Sequence, residues 1–331
     1  MTSSTDINLV DSLNYTSEQL NRYLAPIIFI VGVVGNILNC LVLSERTLRS
    51  NPCALIFLAS SFIDLISILI GLPTRILAGW QHDPTSTVNW ICKFRAFIVF
   101  STRTMSIWLI TLATIDRWLI SSIDIHRRQM SNLKNVKREI FIIVTLSILT
   151  YTYMLQCYAA NIADAPLKCY GKSQICRLIN DLTYSFITVV IPLILMIIFG
   201  LLTISHVHRV HNRIQNKAVR SVNIPSTIKE LHSKKVDHHL LRMLIIQVLL
   251  LTMLCIPQAF EKFYITFEPL GSGAALEDAI KLFLYNTEIL LAFIASSMSF
   301  YIYTLAGGSI FRKAFMGLMR TVKQKITRQF H

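Results

Sequence analysis

Residues 105–118 read MSIWLITLATIDRW, an apolar run that ends in the charged pair Asp116-Arg117, followed by Trp118. This run is the third of seven long apolar stretches in the chain. A charged pair at the edge of a membrane span costs free energy, so its presence there indicates a function. The seven stretches and the pair favour a helical membrane protein over a soluble enzyme.

The seven apolar stretches predict seven membrane-spanning helices. A hydrocarbon core of about 30 Å is crossed by roughly 20 apolar residues in helical conformation. The expected spans are roughly 23–44, 53–79, 89–122, 138–160, 181–208, 238–264 and 279–304.

The composition agrees with a protein that faces lipid. Of its 331 residues, 53% are hydrophobic and only 15% are charged, whereas a soluble domain carries about 25% charged residues. The net charge of +14 comes from Lys and Arg beside the expected spans. That placement favours membrane topology and attraction to anionic lipid over nucleic-acid binding.

The distribution of Lys and Arg orients the chain. Basic residues are common in the connectors before the second, fourth and sixth spans and in the C-terminal segment, and scarce in the other connectors. Such residues stay on the cytoplasmic side of a membrane. We therefore expect an extracellular tail at 1–22, a membrane domain at 23–304 and a cytoplasmic segment at 305–331. A glycosylation sequon at Asn14 falls in the expected extracellular tail.

Three cysteines lie on the expected extracellular side, which is oxidising: Cys92, Cys169 and Cys176. Cys92 is predicted to pair with one of the other two. Cys169 is favoured because it leaves more chain between the disulfide and Pro192 of the fifth span. The remaining cysteines are expected to act as small apolar residues: Cys40, Cys53, Cys157 and Cys255.

An ordered set of short motifs accompanies the spans. They are Gly35-Asn36, Leu58-Ala59-Ser60-Ser61-Phe62-Ile63-Asp64, Cys92, Asp116-Arg117-Trp118, Pro192, Cys255-Ile256-Pro257 and Ser299-Phe300-Tyr301-Ile302-Tyr303. In this order they resemble the rhodopsin-like class of G-protein-coupled receptors over roughly residues 24–320. The resemblance implies an all-α membrane protein, a seven-transmembrane helix bundle with a short amphipathic eighth helix. The apolar face of that helix is formed by Phe311, Phe315, Leu318 and Met319.

The resemblance also implies a function. A member of this class binds an extracellular ligand and activates a heterotrimeric G protein at the plasma membrane. Four residues depart from the motifs: Trp118 stands for a tyrosine, Cys255 for a tryptophan, and Ser299-Phe300 for Asn-Pro. Because of these departures, a second function stays possible: a receptor-like protein that binds a ligand but does not activate a G protein. A transporter is less favoured because no internal repeat is visible, and no catalytic constellation suggests an enzyme.

Two switch elements follow from the resemblance. Arg117 is expected to pair with Asp116 and, across the bundle, with Asp237 at the inner end of the sixth span. Breaking the Arg117–Asp237 pair would let the sixth helix swing outward. Tyr303 belongs to the second element at the end of the seventh span. The alternative for Arg117 is that it only extends to the membrane interface.

Asp64 is a carboxylate near the middle of the membrane. In this class its neighbours would be Asn36, Ser106 and Ser299. Oxygen ligands suit a small cation, and the resemblance implies a sodium ion; no other metal or cofactor is expected. The alternative is a protonated Asp64 in a polar network.

Arg103 lies fourteen positions before Arg117, about 21 Å further out on one helix. A charge at that depth needs a partner, and the candidates are Glu288, Glu261 or an acidic or carbonyl group of the ligand. Two other arrangements stay open: Arg103 faces lipid, or it bends inward to Asp64 and displaces any sodium ion. Val99 stands where amine receptors carry an aspartate, and Phe293 where light receptors carry a lysine. A peptide ligand, as in FMRFamide-type neuropeptide receptors, fits the remaining set best. The expected pocket comprises Arg75, Val99, Arg103, Gln258, Glu261, Tyr264, Tyr285 and Glu288.

Overall fold

The structure is a computed structural model that describes residues 4–122, 124–162, 165, 167–218, 228–267, 275–306, 315–317 and 320. Several side chains within these ranges, including those of 207–218 and 228–240, lie outside the description. The α-helices are Ser4–Gln19, Ala25–Leu43, Arg46–Arg49, Pro52–Gly79, Asn89–Ser121, Ile125–Met130, Leu133–Tyr151, Met154–Cys157, Gln174–Leu182, Ile191–Ala218, Ile228–Phe267, Ala275–Ser297 and Ser299–Ala306.

Seven stretches of the described helices are long and apolar enough to cross a membrane. From the first span to the seventh they are Asp6–Leu43, Pro52–Gly79, Asn89–Ser121, Leu133–Cys157, Gln174–His206, Leu241–Ile265 and Ala275–Thr304. The predicted seven-span bundle is therefore confirmed. The first and fifth spans begin earlier than expected because each contains a π-helical segment, Leu20–Leu24 and Thr183–Val190, that joins two helices into one.

The segment expected to be a polar tail is helical from Ser4 onward. Its helix packs against the seventh span. We call the end of the bundle that carries this helix the N-terminal face, and the opposite end, which carries Arg117, the Arg117 face. Arg22 anchors the helix: its Nε donates to the carbonyl of Gly79 at 3.1 Å, and its guanidinium lies 4.6 Å from the ring of Trp80. These contacts to the second span hold the segment in place.

The third span occupies the middle of the bundle, in contact with the second, fourth and fifth. Several of its buried polar side chains bond to their own helix. Thr111 Oγ1 donates to the carbonyl of Ile107 at 3.0 Å, and Thr114 Oγ1 to that of Ile110 at 2.9 Å. These two hydroxyl groups are satisfied within the helix, so burial of this part of the span does not leave them unpaired.

A short hairpin covers the N-terminal face. Strand β1, Tyr158–Ala159, pairs antiparallel with β2, Tyr170–Gly171. A disulfide joins Cys92 of the third span to Cys169 beside β2. The hairpin is thereby fixed over the middle of the bundle.

A second disulfide joins Cys157 to Cys176. The expectation that Cys157 is an ordinary apolar residue was therefore wrong. The fourth span ends at Cys157, on the N-terminal face, and the helix Gln174–Leu182 begins beside it. The Cα atoms of Cys157 and Cys176 are 5.5 Å apart. Cys176 thus has its own partner and is not a competitor for Cys92.

The C-terminal segment is only partly described. Phe311, Leu318 and Met319 lie outside the described residues, so the amphipathic eighth helix stays a prediction. Phe315 is described, and its ring lies 5.7 Å from that of Phe300.

Peptide mapping under non-reducing conditions should recover both bridges, Cys92–Cys169 and Cys157–Cys176. The bridges close loops of 77 and 19 residues. The chain-entropy relation then gives roughly 4.5 and 3.2 kcal/mol of stabilisation. We expect Cys92→Ser to lower the surface level of the protein more than Cys157→Ser. A Cys92–Cys176 peptide would contradict the assignment, and Cys40→Ser is the matched control.

Candidate functional site

A cavity of about 50 Å³ lies beneath the hairpin, between the second, third, fifth, sixth and seventh spans. Polar and aromatic side chains dominate its wall. The lining residues are Arg75, Arg95, Ala96, Val99, Phe100, Arg103, Tyr158, Leu167, Cys169, Tyr170, Tyr184, Gln258, Lys262, Tyr285, Ile289, Ala292 and Phe293. Five of the eight residues predicted for the pocket lie there: Arg75, Val99, Arg103, Gln258 and Tyr285.

Four cationic side chains line this cavity: Arg75, Arg95, Arg103 and Lys262. Arg75 Nη1 donates to Asn286 Oδ1 at 3.2 Å. The Nε atoms of Arg75 and Arg95 are buried and have no hydrogen-bond partner among the described residues. No carboxylate lines the cavity within the described part of the chain. The cavity is therefore strongly positive and retains unused N–H donors.

Lys262 is the main residue that sequence reasoning missed. Its Nζ lies 2.8 Å from Oδ1 of Asp181, and both side chains are at least 98% buried. The ammonium also faces the rings of Tyr285 at 5.1 Å and Tyr170 at 5.3 Å. A lysine inside an apolar span is costly by itself, and this signal, applied earlier to Arg103, would have found it.

Tyr170 connects the hairpin to this ion pair. Its hydroxyl donates to Asp181 Oδ1 at 3.3 Å. Burial raises the pKa of the Tyr170 phenol well above its usual range, so the hydroxyl stays neutral and able to donate. The hairpin, the start of the fifth span and the sixth span are thus held together by one buried cluster.

Three of the predicted pocket residues lie outside the cavity wall. Tyr264 is 47% exposed, and its hydroxyl donates to Glu277 at 3.4 Å. Glu261 of the sixth span and Glu288 of the seventh are near each other, and both oxygens of Glu261 and Oε2 of Glu288 have no hydrogen-bond partner among the described residues. Glu261 and Glu288 were candidate internal partners of Arg103, and neither is a hydrogen-bond partner of its guanidinium among the described residues.

Arg103 bonds instead to backbone and sulfur. Its Nη1 donates to the carbonyl of Ala292 at 2.7 Å, and its Nη2 lies 3.8 Å from Sγ of Cys255. It therefore bridges the third span to both the sixth and the seventh. Arg103 also lines a second, deeper cavity.

That deeper cavity brings together three of the four residues predicted around a sodium ion: Asp64, Ser106 and Ser299. Asn36 lies outside its wall. The Asn36 amide instead donates to the carbonyls of Gly32 at 2.9 Å and Ser296 at 3.2 Å. It ties the first span to the seventh.

The predicted switch residues lie near the Arg117 face. Arg117 is 3% exposed, and its Nη2 lies 3.0 Å from Asp116 Oδ2 and 3.4 Å from Asn51 Oδ1. Ser131 donates to the other oxygen of Asp116. The side chain of Asp237 lies outside the described residues, so the Arg117–Asp237 pair stays a prediction.

The aromatic switch residues contact the fifth and sixth spans. Trp118 packs against Phe199 with ring centroids 5.0 Å apart. Tyr303 is fully buried, and its hydroxyl donates to Gln247 Oε1 at 2.7 Å. Gln247, together with Asn51 and Ser131, was not singled out from the sequence.

Removal of one member of the Lys262–Asp181 pair should destabilise the protein. Asp181→Asn or Lys262→Met leaves an uncompensated buried charge, which costs about 3–5 kcal/mol. The double variant should recover most of the loss in Tm, measured by thermal unfolding in detergent. Lys172→Met, an exposed lysine on the same face, serves as control. Additive losses in the double variant would contradict the pairing.

Comparison with known proteins agrees with this architecture. Residues 35–303 match the family described as 7 transmembrane receptor (rhodopsin family), whose members are receptors rather than enzymes. The chain is 28% identical to human Neuromedin-U receptor 1 over 142 residues, 40% of this chain and 33% of the relative.

Two further relatives show the same limited overlap. Mouse Neuromedin-U receptor 1 is 23% identical over 60% of this chain and 49% of the relative. The Drosophila melanogaster Pyrokinin-1 receptor is 25% identical over 38% and 29%. The matched part of the chain thus spans less than half the length of each relative. The match to the family covers most of the chain, and the protein belongs to the rhodopsin family of seven-transmembrane receptors.

Proposed function

We propose that this protein is a receptor at the plasma membrane that binds an extracellular peptide and activates a heterotrimeric G protein. The observation that carries the proposal is the cationic, aromatic cavity beneath a disulfide-held hairpin, at the end of the bundle opposite Asp116-Arg117. The relatives, named as receptors for neuromedin U and pyrokinin, support a peptide over an amine. Val99 in the cavity wall supplies no carboxylate to an amine.

The orientation follows from charge. Basic connectors on the Arg117 face place it in the cytoplasm, against anionic lipid. The N-terminal face is then extracellular. Asn14, exposed on the helix Ser4–Gln19, would be open to glycosylation there.

The cavity favours a ligand group that accepts hydrogen bonds or carries negative charge. Its cations include the unpaired Nε donors of Arg75 and Arg95, which suit a carboxylate or a cluster of carbonyls. Because the cavity measures only about 50 Å³, entry of a peptide end must displace side chains or the hairpin. We infer that only the terminal part of the ligand reaches Arg103.

A panel of acidic and amidated peptides, tested for G-protein activation in cells, should identify an agonist. Arg75→Gln and Arg95→Gln should each weaken its potency by about 10- to 100-fold, the loss of one charge-assisted hydrogen bond. Lys172→Gln, an exposed charge on the same face, should leave potency unchanged. Equal effects of all three variants would show that the cavity does not contact the ligand.

The switch is proposed to depend on Arg117 and Asp237. Asp237→Ala should raise basal signalling several-fold, because it releases the sixth helix from Arg117. Arg117→Ala should abolish coupling while the protein still reaches the surface. Basal activity in an assay without ligand, normalised to surface level, measures both. Unchanged basal activity in Asp237→Ala would rule out the lock.

A receptor-like protein that binds ligand without signalling is the alternative. One observation favours it: Cys255, at the position of a tryptophan switch in the family, is held by Arg103 from the third span. Such a contact would restrain the sixth helix. Ligand binding without G-protein activation in the same cells would identify this alternative.

A further inference from the structure

Arg103 lies between two cavities. It lines the cavity beneath the hairpin and also the deeper one that contains Asp64. Its side chain is 7% exposed and is held by the carbonyl of Ala292 and Sγ of Cys255. A fixed cation therefore forms the partition between the two.

The deeper cavity is small and surrounds one carboxylate. Its volume of about 10 Å³ is near that of a single water-sized site. Asp64 is 2% exposed, and its Oδ1 has no hydrogen-bond partner among the described residues. Hydroxyl groups of Ser60, Ser106 and Ser296 surround the carboxylate. These oxygens resemble a ligand set for a small cation, and the volume alone would admit one.

Charge excludes such an ion. Asp64 and Arg103 are the only ionisable groups among the described residues that line the cavity, and together they are neutral. Addition of a sodium ion would leave an excess positive charge in a low-dielectric interior, facing a guanidinium that does not lose its proton. The residues of this chain therefore do not fit the sodium ion that the family resemblance implied.

We propose that Arg103 supplies, as a covalently attached cation, the positive charge that a sodium ion would supply beside Asp64. The protein then binds no sodium at Asp64. The restraint that an exchangeable ion would exert on the bundle is made permanent, through the bonds of Arg103 to the sixth and seventh spans. This inference concerns the buried charges alone and does not depend on the identity of the ligand or on signalling.

The test compares thermal unfolding of the purified full-length protein in NaCl and in choline chloride at equal ionic strength. The wild-type Tm should be the same in both salts. Arg103→Gln exposes the carboxylate to an exchangeable cation, so its Tm should rise with sodium by roughly 2 °C at a tenfold excess over Kd. The double variant Arg103→Gln/Asp64→Asn should lose that response. Arg95 is on the same helix and lines the cavity beneath the hairpin but not the cavity that contains Asp64. Arg95→Gln should therefore not gain a sodium-dependent rise in Tm.

Several outcomes would overturn the proposal. A saturable, sodium-specific rise in the wild-type Tm would show that the ion binds beside Arg103. A folded Arg103→Gln that ignores sodium would show that Asp64 does not require a cation. If Arg103→Gln does not fold, the proposal is still tested by the sodium dependence of the wild-type Tm and by the stability of the double variant. That variant removes both charges and should be more stable than Asp64→Asn alone, and the reverse order would contradict the charge pairing.

Discussion

Charged side chains buried inside this bundle are costly, and several of them are held by a group from another helix. A buried ion deprived of its partner costs several kcal/mol, so the need for partners restricts how the spans can rotate and pack. Lys262 of the sixth span pairs with Asp181 at the start of the fifth, and Arg103 of the third span bonds to the carbonyl of Ala292 in the seventh. The helix arrangement follows from these pairings as much as from the apolar surfaces between them.

The cover of the cavity depends on the same constraint. Two disulfides hold the hairpin region to the third span and to the end of the fourth. They limit the displacement of the hairpin from the bundle. The Lys262–Asp181 pair, through Tyr170, attaches the hairpin to the fifth and sixth spans. Movement of the hairpin is thereby coupled to the sixth span, the helix whose opposite end is expected to move when a receptor of this family is activated.

Arg103 extends this coupling into the membrane. It is the one side chain shared by the walls of the two described cavities that lie along the bundle interior. A ligand group that attracts the guanidinium would weaken its bonds to Ala292 and Cys255 together. A single residue would then relate ligand contact to the sixth and seventh spans, with no exchangeable ion between them.

The sequence by itself determined the number of spans, their order and the family, because about 20 apolar residues are needed to cross a bilayer wherever they lie. It also indicated that Arg103 needed a partner and that Cys92 would be cross-linked. Which groups meet was decided only by the tertiary structure. Ala292 lies 189 residues from Arg103, and Asp181 lies 81 from Lys262. In a span that is apolar on most sides, periodicity does not reveal how the helix is rotated about its axis. Packing sets that rotation, and it turned Arg103 towards the carbonyl of Ala292 and Sγ of Cys255.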